Sequence, residues 1–312
     1  MTGAGVCART RTGAAARLAC ACVALALASA AARAQDYGDT PYVRTPQNVV
    51  EQMLRLGRVG AKDYVIDLGS GDGRIVITAA KQFGARGFGV DLDPRLVDLA
   101  NRNAAREGVA DRAAFYARDL YETDISKATV VTFYLLPEVN MMLRPRLLKL
   151  LKPGTRLVAH DYDLGDWKPD RSMIVPAPDK PVGRDKISKV YFWVVPAQVA
   201  GRWRAHVALP AGAQDYEFTL AQSFQVLEGS ATVDGHNAKL TDSRLVGDRI
   251  SLTLETDAGG TPVRHDLRGR VNGGVIEGVM RITGGGAPIQ QRFSAQRSSA
   301  DEAHGDAGAA AK

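Results

Sequence analysis

The chain is poor in cysteine, with three among 312 residues, and Cys7, Cys20 and Cys22 all lie in the first 34 positions. The chain beyond residue 34 therefore has no disulfide framework, no thiolate metal site and no cysteine nucleophile. Histidine is also scarce, with five in the whole chain. The polar cluster "HDYDLGDWKPD", residues 160–170, contains only one of them, so we expect a loop that borders a pocket and no metal site.

Acidic residues are absent from the first 34 positions, which contain four arginines. The formal net charge of +6 is concentrated there, because the rest of the chain has 36 basic against 34 acidic residues, a balance of +2. A surface so close to neutrality does not predict a basic patch. We therefore expect no nucleic-acid partner.

Residues 1–34 have the order of features that is typical of a secretory signal peptide. An arginine-bearing start is followed by the apolar run "LACACVALALASAAA" and by "ARA" before Gln35. This order predicts cleavage near Ala34 and export, with the periplasm as the destination in a bacterium. The apolar run is short for a membrane span, so we expect no transmembrane segment in the mature chain. An uncleaved N-terminal anchor and a mitochondrial presequence are the alternatives.

The pattern of apolar residues divides the remaining chain into segments. Residues 35–62 predict a helical segment, and residues 63–196 alternate short β-branched runs with longer helical ones, which predicts a parallel sheet with crossover helices. Residues 197–296 contain about eight short alternating runs separated by Asp-Gly, Asn-Gly and Gly-Gly turns, which predict an antiparallel barrel or sandwich. Residues 297–312 are small and polar, as in a disordered tail.

Individual elements of the α/β part follow from the same patterns. Thr45 is the predicted N-cap of the first helix, with Pro46 at its first position, and Asp93 is the predicted N-cap of the third. The predicted helices cover residues 45–56, 74–83, 94–107 and 138–151. The predicted strands cover residues 64–67, 87–91, 113–117, 129–134 and 156–161, followed by an extended pair, "SMIVPA" and "SKVYFWVV".

Three glycines at alternate positions follow the first predicted strand, in "YVIDLGSGDGRIVITAA". Because Gly69, Gly71 and Gly73 have no Cβ atom, a ligand can approach the backbone closely. A dinucleotide fingerprint would need glycine where Arg74 stands, and no Gly-Lys-Ser/Thr follows as in a P-loop. The loop therefore predicts a ligand other than a polyphosphate.

Each of the first three predicted strands ends in an aspartate or is followed closely by one. Asp67 precedes the glycine loop, where it repels phosphates and suits cationic amino-acid and sulfonium groups. Asp91 can accept hydrogen bonds from a ribose diol, although it would serve NAD equally well. Asp119 is placed to meet an adenine amino group, or else it caps the following segment. Open α/β sheets bind ligands at this edge.

The stretches "VIDLGSGDGRIVITAA" and "GVDLDPRLVDLANRNA" resemble the S-adenosylmethionine site of class I methyltransferases, from about Pro41 to Pro196. With "FYLLPEVNMMLRPRLLKLLKPGTRLV" and "PYVRTPQNVVEQML", the chain is similar to the ATP-synthase c-subunit lysine methyltransferases and their prokaryotic relatives. The resemblance implies a Rossmann-like seven-stranded sheet whose last strand is antiparallel, and S-adenosylmethionine as cofactor. The cofactor residues that it implies are Tyr42, Asp67, Gly69, Ser70, Gly71, Gly73, Asp91, Asp119, Leu136 and Pro137.

In methyltransferases of this class the acceptor meets the methyl group near the end of the fourth strand. Relatives that methylate base amines often carry Asn/Asp-Pro-Pro-aromatic there, whereas this chain has "YLLP", residues 134–137, as in the lysine-type relatives. Glu138 is our candidate for holding or deprotonating an amine, and Tyr134 is the second. Pro137 and Glu138 are also residues that a helix N-terminus favours for structural reasons alone.

The sequence thus predicts an S-adenosylmethionine-dependent methyltransferase whose acceptor is an amine, with a protein lysine as the first candidate. A small molecule or a lipid is the alternative acceptor, because domains of this class share the cofactor half and differ in the acceptor half. A further alternative is an exported binding protein whose methyltransferase domain is idle, since S-adenosylmethionine is made in the cytoplasm.

Overall fold

The computed structural model describes residues 42–257, 260–284 and 286–298. The predicted signal peptide, the three cysteines and residues 299–312 of the predicted tail lie outside the described residues. None of the helices in the described ranges is long and apolar enough to cross a bilayer.

The first half of the described chain is built from helices that alternate with strands. The helices are α1 (Gln47–Leu56), α2 (Arg74–Phe83), α3 (Pro94–Arg106) and α4 (Pro137–Leu150). The strands are β1 (Tyr64–Leu68), β2 (Arg86–Asp91), β3 (Ala113–Ala117), β4 (Val130–Phe133), β5 (Arg156–His160), β6 (Arg171–Pro176) and β7 (Ile187–Val194).

These seven strands form one sheet in the order β3-β2-β1-β4-β5-β7-β6. Strands β1 to β5 run parallel, and β7 is antiparallel to both of its neighbours. The seven-stranded sheet with an antiparallel last strand is therefore confirmed. The strand order reverses between β1 and β4, which is the place where open α/β sheets form a ligand crevice at the carboxyl ends of their strands.

Helices cover both faces of the sheet, as the alternation of apolar residues along each strand requires. Val65 of β1 packs in a buried cluster with α1 and α2. The next residue, Ile66, faces the opposite side and packs in a cluster with Leu143 and Leu147 of α4. The sheet thus lies between two apolar layers.

The predicted N-cap of the first helix is wrong, whereas that of the third is confirmed. Pro46 is the N-cap of α1, and its carbonyl oxygen accepts hydrogen bonds from the backbone N–H groups of Val49 and Val50, both 3.0 Å long. The hydroxyl of Thr45 instead lies 3.1 Å from Nδ1 of His160. Asp93 caps α3 as predicted, because its Oδ1 accepts from the Arg95 N–H at 2.8 Å.

The second half of the described chain is a closed antiparallel barrel of eight strands. Each strand pairs with the next, and β15 closes the barrel on β8. Its core contains Trp203, Tyr216, Leu254 and Met280, all fully buried. The strands are β8 (Gly201–Leu209), β9 (Gly212–Ser223), β10 (Val226–Val233), β11 (His236–Val246), β12 (Arg249–Asp257), β13 (Pro262–Asn272), β14 (Val275–Thr283) and β15 (Ile289–Arg297). Of the two predicted architectures, the barrel is the one observed.

Candidate functional site

The glycine loop joins β1 to α2 in a conformation that glycine alone adopts without strain. Gly69, Gly71 and Gly73 have φ values of 75°, 53° and 82°. Space is also limiting, because a Cβ atom at Gly69 would lie 2.7 Å from Cδ2 of Leu135, and one at Gly73 would lie 2.6 Å from Cζ of Phe115. The loop therefore exposes its backbone and packs closely against Leu135, which lies two residues after the end of β4.

The end of β2 holds this loop in place. The N–H groups of Gly69 and Ser70 both donate to the Val90 carbonyl oxygen at 2.9 Å. Asp91 extends the contact, since its Oδ2 accepts from the Gly71 N–H at 2.9 Å and its Oδ1 from the Asp93 N–H at 3.0 Å. Each carboxylate oxygen has a further lone pair. The half-buried Asp91 can therefore shape the loop and still accept hydrogen bonds from a diol.

Asp67 is a buried carboxyl group at the carboxyl end of β1, with 1% of its surface exposed. Its Oδ1 accepts a 2.6 Å hydrogen bond from the Thr132 hydroxyl on β4, a partner that the sequence analysis did not identify. Burial raises the pKa of Asp67 to about 7, against the effect of Thr132, and the negative charge of Asp91 raises it further. A cationic group placed beside Asp67 would favour its ionised form.

Ser70 carries an unpaired polar atom in the loop. Its Oγ is buried and has no hydrogen-bond partner among the described residues. A buried hydroxyl without a hydrogen-bond partner costs stability. A bound ligand that forms a hydrogen bond with this hydroxyl would remove that cost and would explain why serine stands here. The bare loop, the unpaired Ser70 hydroxyl and the carboxyl groups of Asp67 and Asp91 together fit a nucleoside with a cationic amino-acid part.

The remaining predicted cofactor residues lie in different surroundings. Asp119 follows β3, and its Oδ1 accepts from the Tyr121 N–H at 2.7 Å, so it does cap the following turn. Its adenine role stays a prediction. Leu136 is the N-cap of α4 and Pro137 is its first residue, both exposed. Tyr42 is the first described residue and is 42% exposed; its contact with the cofactor also stays a prediction.

Tyr134, one residue after β4, is part of a polar cluster with the end of β5. Its hydroxyl donates to Oδ2 of Asp161 at 3.2 Å, and the centre of its ring lies 3.9 Å from that of His160. Burial raises the pKa of the Tyr134 phenol, and the Asp161 charge raises it further. Tyr134 is therefore neutral, and its oxygen keeps lone pairs that can accept from an incoming amine.

Asp161 is the centre of this cluster and has a backbone φ of 63°, which is uncommon outside glycine. Its Oδ2 pairs with the Lys180 ammonium at 2.7 Å, and its Oδ1 accepts from the Lys189 N–H at 3.1 Å. Burial acts to raise the pKa of Asp161, but these cationic and hydrogen-bond partners outweigh it and the pKa is lowered. Asp161 was predicted only as the last residue of a strand, with no role in the site.

His160 is buried beside this cluster, with hydroxyl groups at both ring nitrogens. Nδ1 lies 3.1 Å from the Thr45 Oγ1, and Nε2 lies 2.8 Å from the Ser188 Oγ. Burial lowers the pKa of His160 to about 4, so the imidazole is neutral at physiological pH. Within the ranges that the structure describes, no group of three or more His, Cys, Asp and Glu side chains is arranged to hold a metal ion.

Glu138 and Asn140 occupy the first turn of α4, next to Tyr134 in the chain. Glu138 is exposed, and its carboxylate makes no hydrogen bond with the described residues. Asn140 is fully buried, and its Nδ2 donates to the carbonyl oxygens of Tyr162 and Asp163 at 3.2 Å. Asn140 was missed by the sequence analysis, because an isolated asparagine inside a helical pattern carries no signal of its own.

Comparison with known proteins points to one family. The model of the ANTKMT methyltransferase domain matches residues 67–171. A protein-lysine N-methyltransferase of Saccharolobus islandicus is 48% identical over 130 residues, which are 41% of this chain and 81% of the relative. The ATP synthase c-subunit lysine N-methyltransferase of Xenopus laevis is 35% identical, over 42% of this chain and 57% of the relative. The adenine nucleotide translocase lysine N-methyltransferase of Mus musculus is 38% identical, over 41% and 56%.

The matched region thus spans a little over half the length of these two vertebrate relatives and most of the archaeal one. Among solved structures, an RNA methyltransferase of Salinibacter ruber in complex with S-adenosylhomocysteine is 50% identical. The match covers 50% of this chain and 96% of that one, with a TM-score of 0.46.

Proposed function

This chain belongs to the family of S-adenosylmethionine-dependent methyltransferases that includes the ANTKMT methyltransferase domain, and we propose that it methylates the ε-amine of a lysine in a protein. The observation that carries the proposal is the match over 81% of a protein-lysine N-methyltransferase. The exposed Glu138 carboxylate and the neutral Tyr134 phenol, which follow β4 beside the glycine loop, support an amine as the acceptor.

The cofactor is S-adenosylmethionine, which when bound supplies a methyl group on a sulfonium sulfur. On the side of the protein, the glycine loop exposes backbone, and the half-buried Asp91 presents carboxylate oxygens to a ribose diol. Asp67 lies where a cationic amino group would be stabilised, because an ionised carboxylate in a buried site gains most from a nearby positive charge. These residues bind and orient the cofactor, and they have little to do in the chemical step itself.

The acceptor side must present a lone pair, so a lysine ammonium has to lose a proton before transfer. Glu138 is exposed and free to attract the ammonium group and to accept its proton. The Tyr134 oxygen accepts a hydrogen bond from the amine and fixes its direction, while the Tyr134 proton stays on the bond to Asp161. Alignment of the amine with the methyl group provides most of the acceleration in a substitution of this kind.

We also propose that the chain is exported, because of its arginine-bearing apolar leader. A periplasmic location would make proteins of the cell envelope the first acceptors to examine. Retention as an N-terminal anchor and, in a eukaryote, import into mitochondria remain the alternatives. Fractionation together with sequencing of the N-terminus distinguishes them: the exported form should begin near Gln35 in the periplasmic fraction, the anchored form should keep its leader, and the imported form should be recovered from mitochondria.

Transfer of a labelled methyl group tests the proposed acceptor. The purified chain is incubated with labelled S-adenosylmethionine and with separated protein, lipid and small-molecule fractions, and labelled products are identified by mass spectrometry. We expect label on lysine side chains. Label confined to lipids or small molecules would contradict the lysine proposal, and absence of label with intact binding of S-adenosylhomocysteine would support an idle domain.

Glu138→Gln is the matched variant for the proposed role of this carboxylate. It keeps the size and polarity of the side chain and removes the proton acceptor, so kcat should fall about tenfold or more while affinity for S-adenosylhomocysteine is unchanged. Glu122→Gln, at another exposed glutamate of the same domain, is the control. Equal kcat values for the two variants would remove Glu138 from the mechanism.

A further inference from the structure

One of the contacts between the barrel and the methyltransferase half is made by the two-residue turn between β9 and β10, the Phe224–Gln225 turn. The Phe224 ring stacks on the Trp167 indole, with ring centres 5.5 Å apart and planes 7° from parallel. The Gln225 side chain makes two hydrogen bonds with the same stretch of chain. Its Oε1 accepts from Trp167 Nε1 at 2.9 Å, and its Nε2 donates to the Lys168 carbonyl oxygen at 2.8 Å. Trp167 belongs to residues 161–170, which we call the β5–β6 segment.

Trp167 is held from the other side by the sheet. It is fully buried, and its carbonyl oxygen accepts a 2.8 Å hydrogen bond from Nε1 of Trp193 on β7. The two indole rings lie 6.2 Å apart at an angle of 54°. The β5–β6 segment is therefore fixed at its far end between the sheet and the barrel turn.

Helix α4 joins the same contact. The guanidinium of Arg144 lies over the Phe224 ring, with Cζ 5.4 Å from the ring centre. It also donates to the Leu164 carbonyl oxygen at 2.9 Å and forms an ion pair with Asp166. A cation over an aromatic face is attracted by the ring quadrupole, so the loss of the Phe224 ring would loosen Arg144 as well.

The near end of the β5–β6 segment forms the acceptor side of the site. Asp161 accepts the hydrogen bond from the Tyr134 hydroxyl, and the Tyr162 ring stacks on the Tyr134 ring at 6.4 Å and 23°. Asn140 donates hydrogen bonds to the carbonyl oxygens of Tyr162 and Asp163 in the same segment. The β5–β6 segment thus contacts the barrel turn at one end, through Trp167, and Tyr134 at the other end, through Asp161 and Tyr162.

The backbone of Phe224 shows that the turn is not shaped by local preference. Its φ is 55°, a left-handed conformation that two-residue hairpin turns normally give to glycine, asparagine or aspartate. A bulky aromatic residue there is strained, and strain of this kind persists where the surroundings require the residue. The stacking on Trp167 and the contact with Arg144 are the interactions that require an aromatic ring at this position.

We propose that the barrel is a positioning element of the methyl-acceptor site, and that the Phe224–Gln225 turn holds the β5–β6 segment so that Asp161 and Tyr162 orient Tyr134. This inference rests on the proposed methyl transfer and gives the barrel a part in it. A small displacement of an acceptor-orienting group is enough to slow the reaction strongly, because the attacking lone pair must stay in line with the methyl group.

The variant Phe224→Asn tests the proposal without disturbing the backbone, because asparagine accepts a left-handed φ more readily than phenylalanine. We expect faster hydrogen–deuterium exchange of the amides of residues 161–168 and a fall in kcat of about tenfold, since alignment is lost. Affinity for S-adenosylhomocysteine should stay within about twofold of the parent chain, because the cofactor loop is on other strands. Phe224→Tyr retains the aromatic ring, so its amide exchange in residues 161–168 and its kcat should both equal those of the parent chain.

Val279→Asn, at an exposed position on β14 of the barrel, is the control and should behave as the parent chain. If Phe224→Asn is poorly folded, Gln225→Ala removes both amide hydrogen bonds to the segment and should give the same pattern. Unchanged exchange of residues 161–168, or faster exchange with an unchanged kcat, would overturn the proposal. If the parent chain transfers no methyl group, the proposed function fails, and the exchange experiment still reports whether the turn holds the segment.

Discussion

The backbone N–H of Gly71 donates a 2.9 Å hydrogen bond to Oδ2 of Asp91, 20 positions later in the chain. This contact joins the loop after β1 to the end of β2, and the other oxygen of Asp91 accepts from the N–H of Asp93 at 3.0 Å. The carboxylate predicted to bind a ribose therefore also sets the shape of the loop beneath it, so its removal affects the cofactor site in two ways.

Asp91→Ala should weaken the binding of S-adenosylhomocysteine by more than about tenfold. The variant loses the acceptor for the diol and leaves two backbone N–H groups without their partner, each worth on the order of 1 kcal/mol or more. Isothermal titration calorimetry measures the effect. Asp98→Ala, at an exposed carboxylate on α3, should leave the affinity unchanged. Equal affinities for the two variants would undo the assignment of Asp91.

The affinity for S-adenosylhomocysteine should depend on pH through Asp67, whose pKa burial raises to about 7. Below pH 7 the carboxyl group must release its proton before it can stabilise the ligand ammonium. The dissociation constant should therefore rise by up to about tenfold for each unit below pH 7 and level off above it. Asp67→Asn should bind weakly with little pH dependence over this range. A parent chain with constant affinity from pH 5.5 to 8 would contradict the role of Asp67.

Tyr134→Phe should lower kcat and leave cofactor affinity unchanged. The substitution removes the hydroxyl that bonds to Asp161 and that we assign to the orientation of the amine, at a cost of roughly tenfold or more in rate. Steady-state kinetics with an unmethylated acceptor protein as substrate, together with calorimetry, separates the two effects. Tyr116→Phe, at an exposed tyrosine on β3, is the control. A loss of cofactor affinity equal to the loss in kcat would show that Tyr134 belongs to the cofactor site instead.

The contribution of His160 to the free energy of unfolding should fall as the pH is lowered from about 6.5 to 4, and it is opposite in sign to that of Asp67, whose raised pKa favours the folded chain over the same interval. The pKa of this buried imidazole is lowered from 6.5 to about 4, so the unfolded chain binds the proton first over this interval. A group of this kind contributes more to the stability of the fold above pH 6.5 than at pH 4, and this contribution is lost as the pH falls. Urea titrations at several pH values measure it. The difference in free energy of unfolding, parent minus His160→Gln, should therefore decrease as the pH falls from 6.5 to 4, since the Asp67 effect is common to both chains; parallel profiles would exclude this role of His160.

Structural features that depend on residues close together in the chain were predictable from the sequence. Helix α2 covers the predicted residues 74–83, because Gly73 and Gly84 flank it with left-handed conformations that other residues avoid. The N-cap at Asp93 is equally local. Thr45 is the counterexample: it has the composition of an N-cap, yet its hydroxyl lies against His160, which is 115 positions away.

By itself the sequence determined that a loop with three glycines follows β1, that acids stand at the ends of the first strands, and that the chain divides into an α/β half and a β half. Local conformational preference and the period of apolar residues carry that information. Only the tertiary structure decided that the β half closes into a barrel, that Asp161 bonds Tyr134, and that Gln225 reaches Trp167 from 58 positions away. Contacts between such distant residues follow from how packed elements meet in space, and no short-range pattern records them.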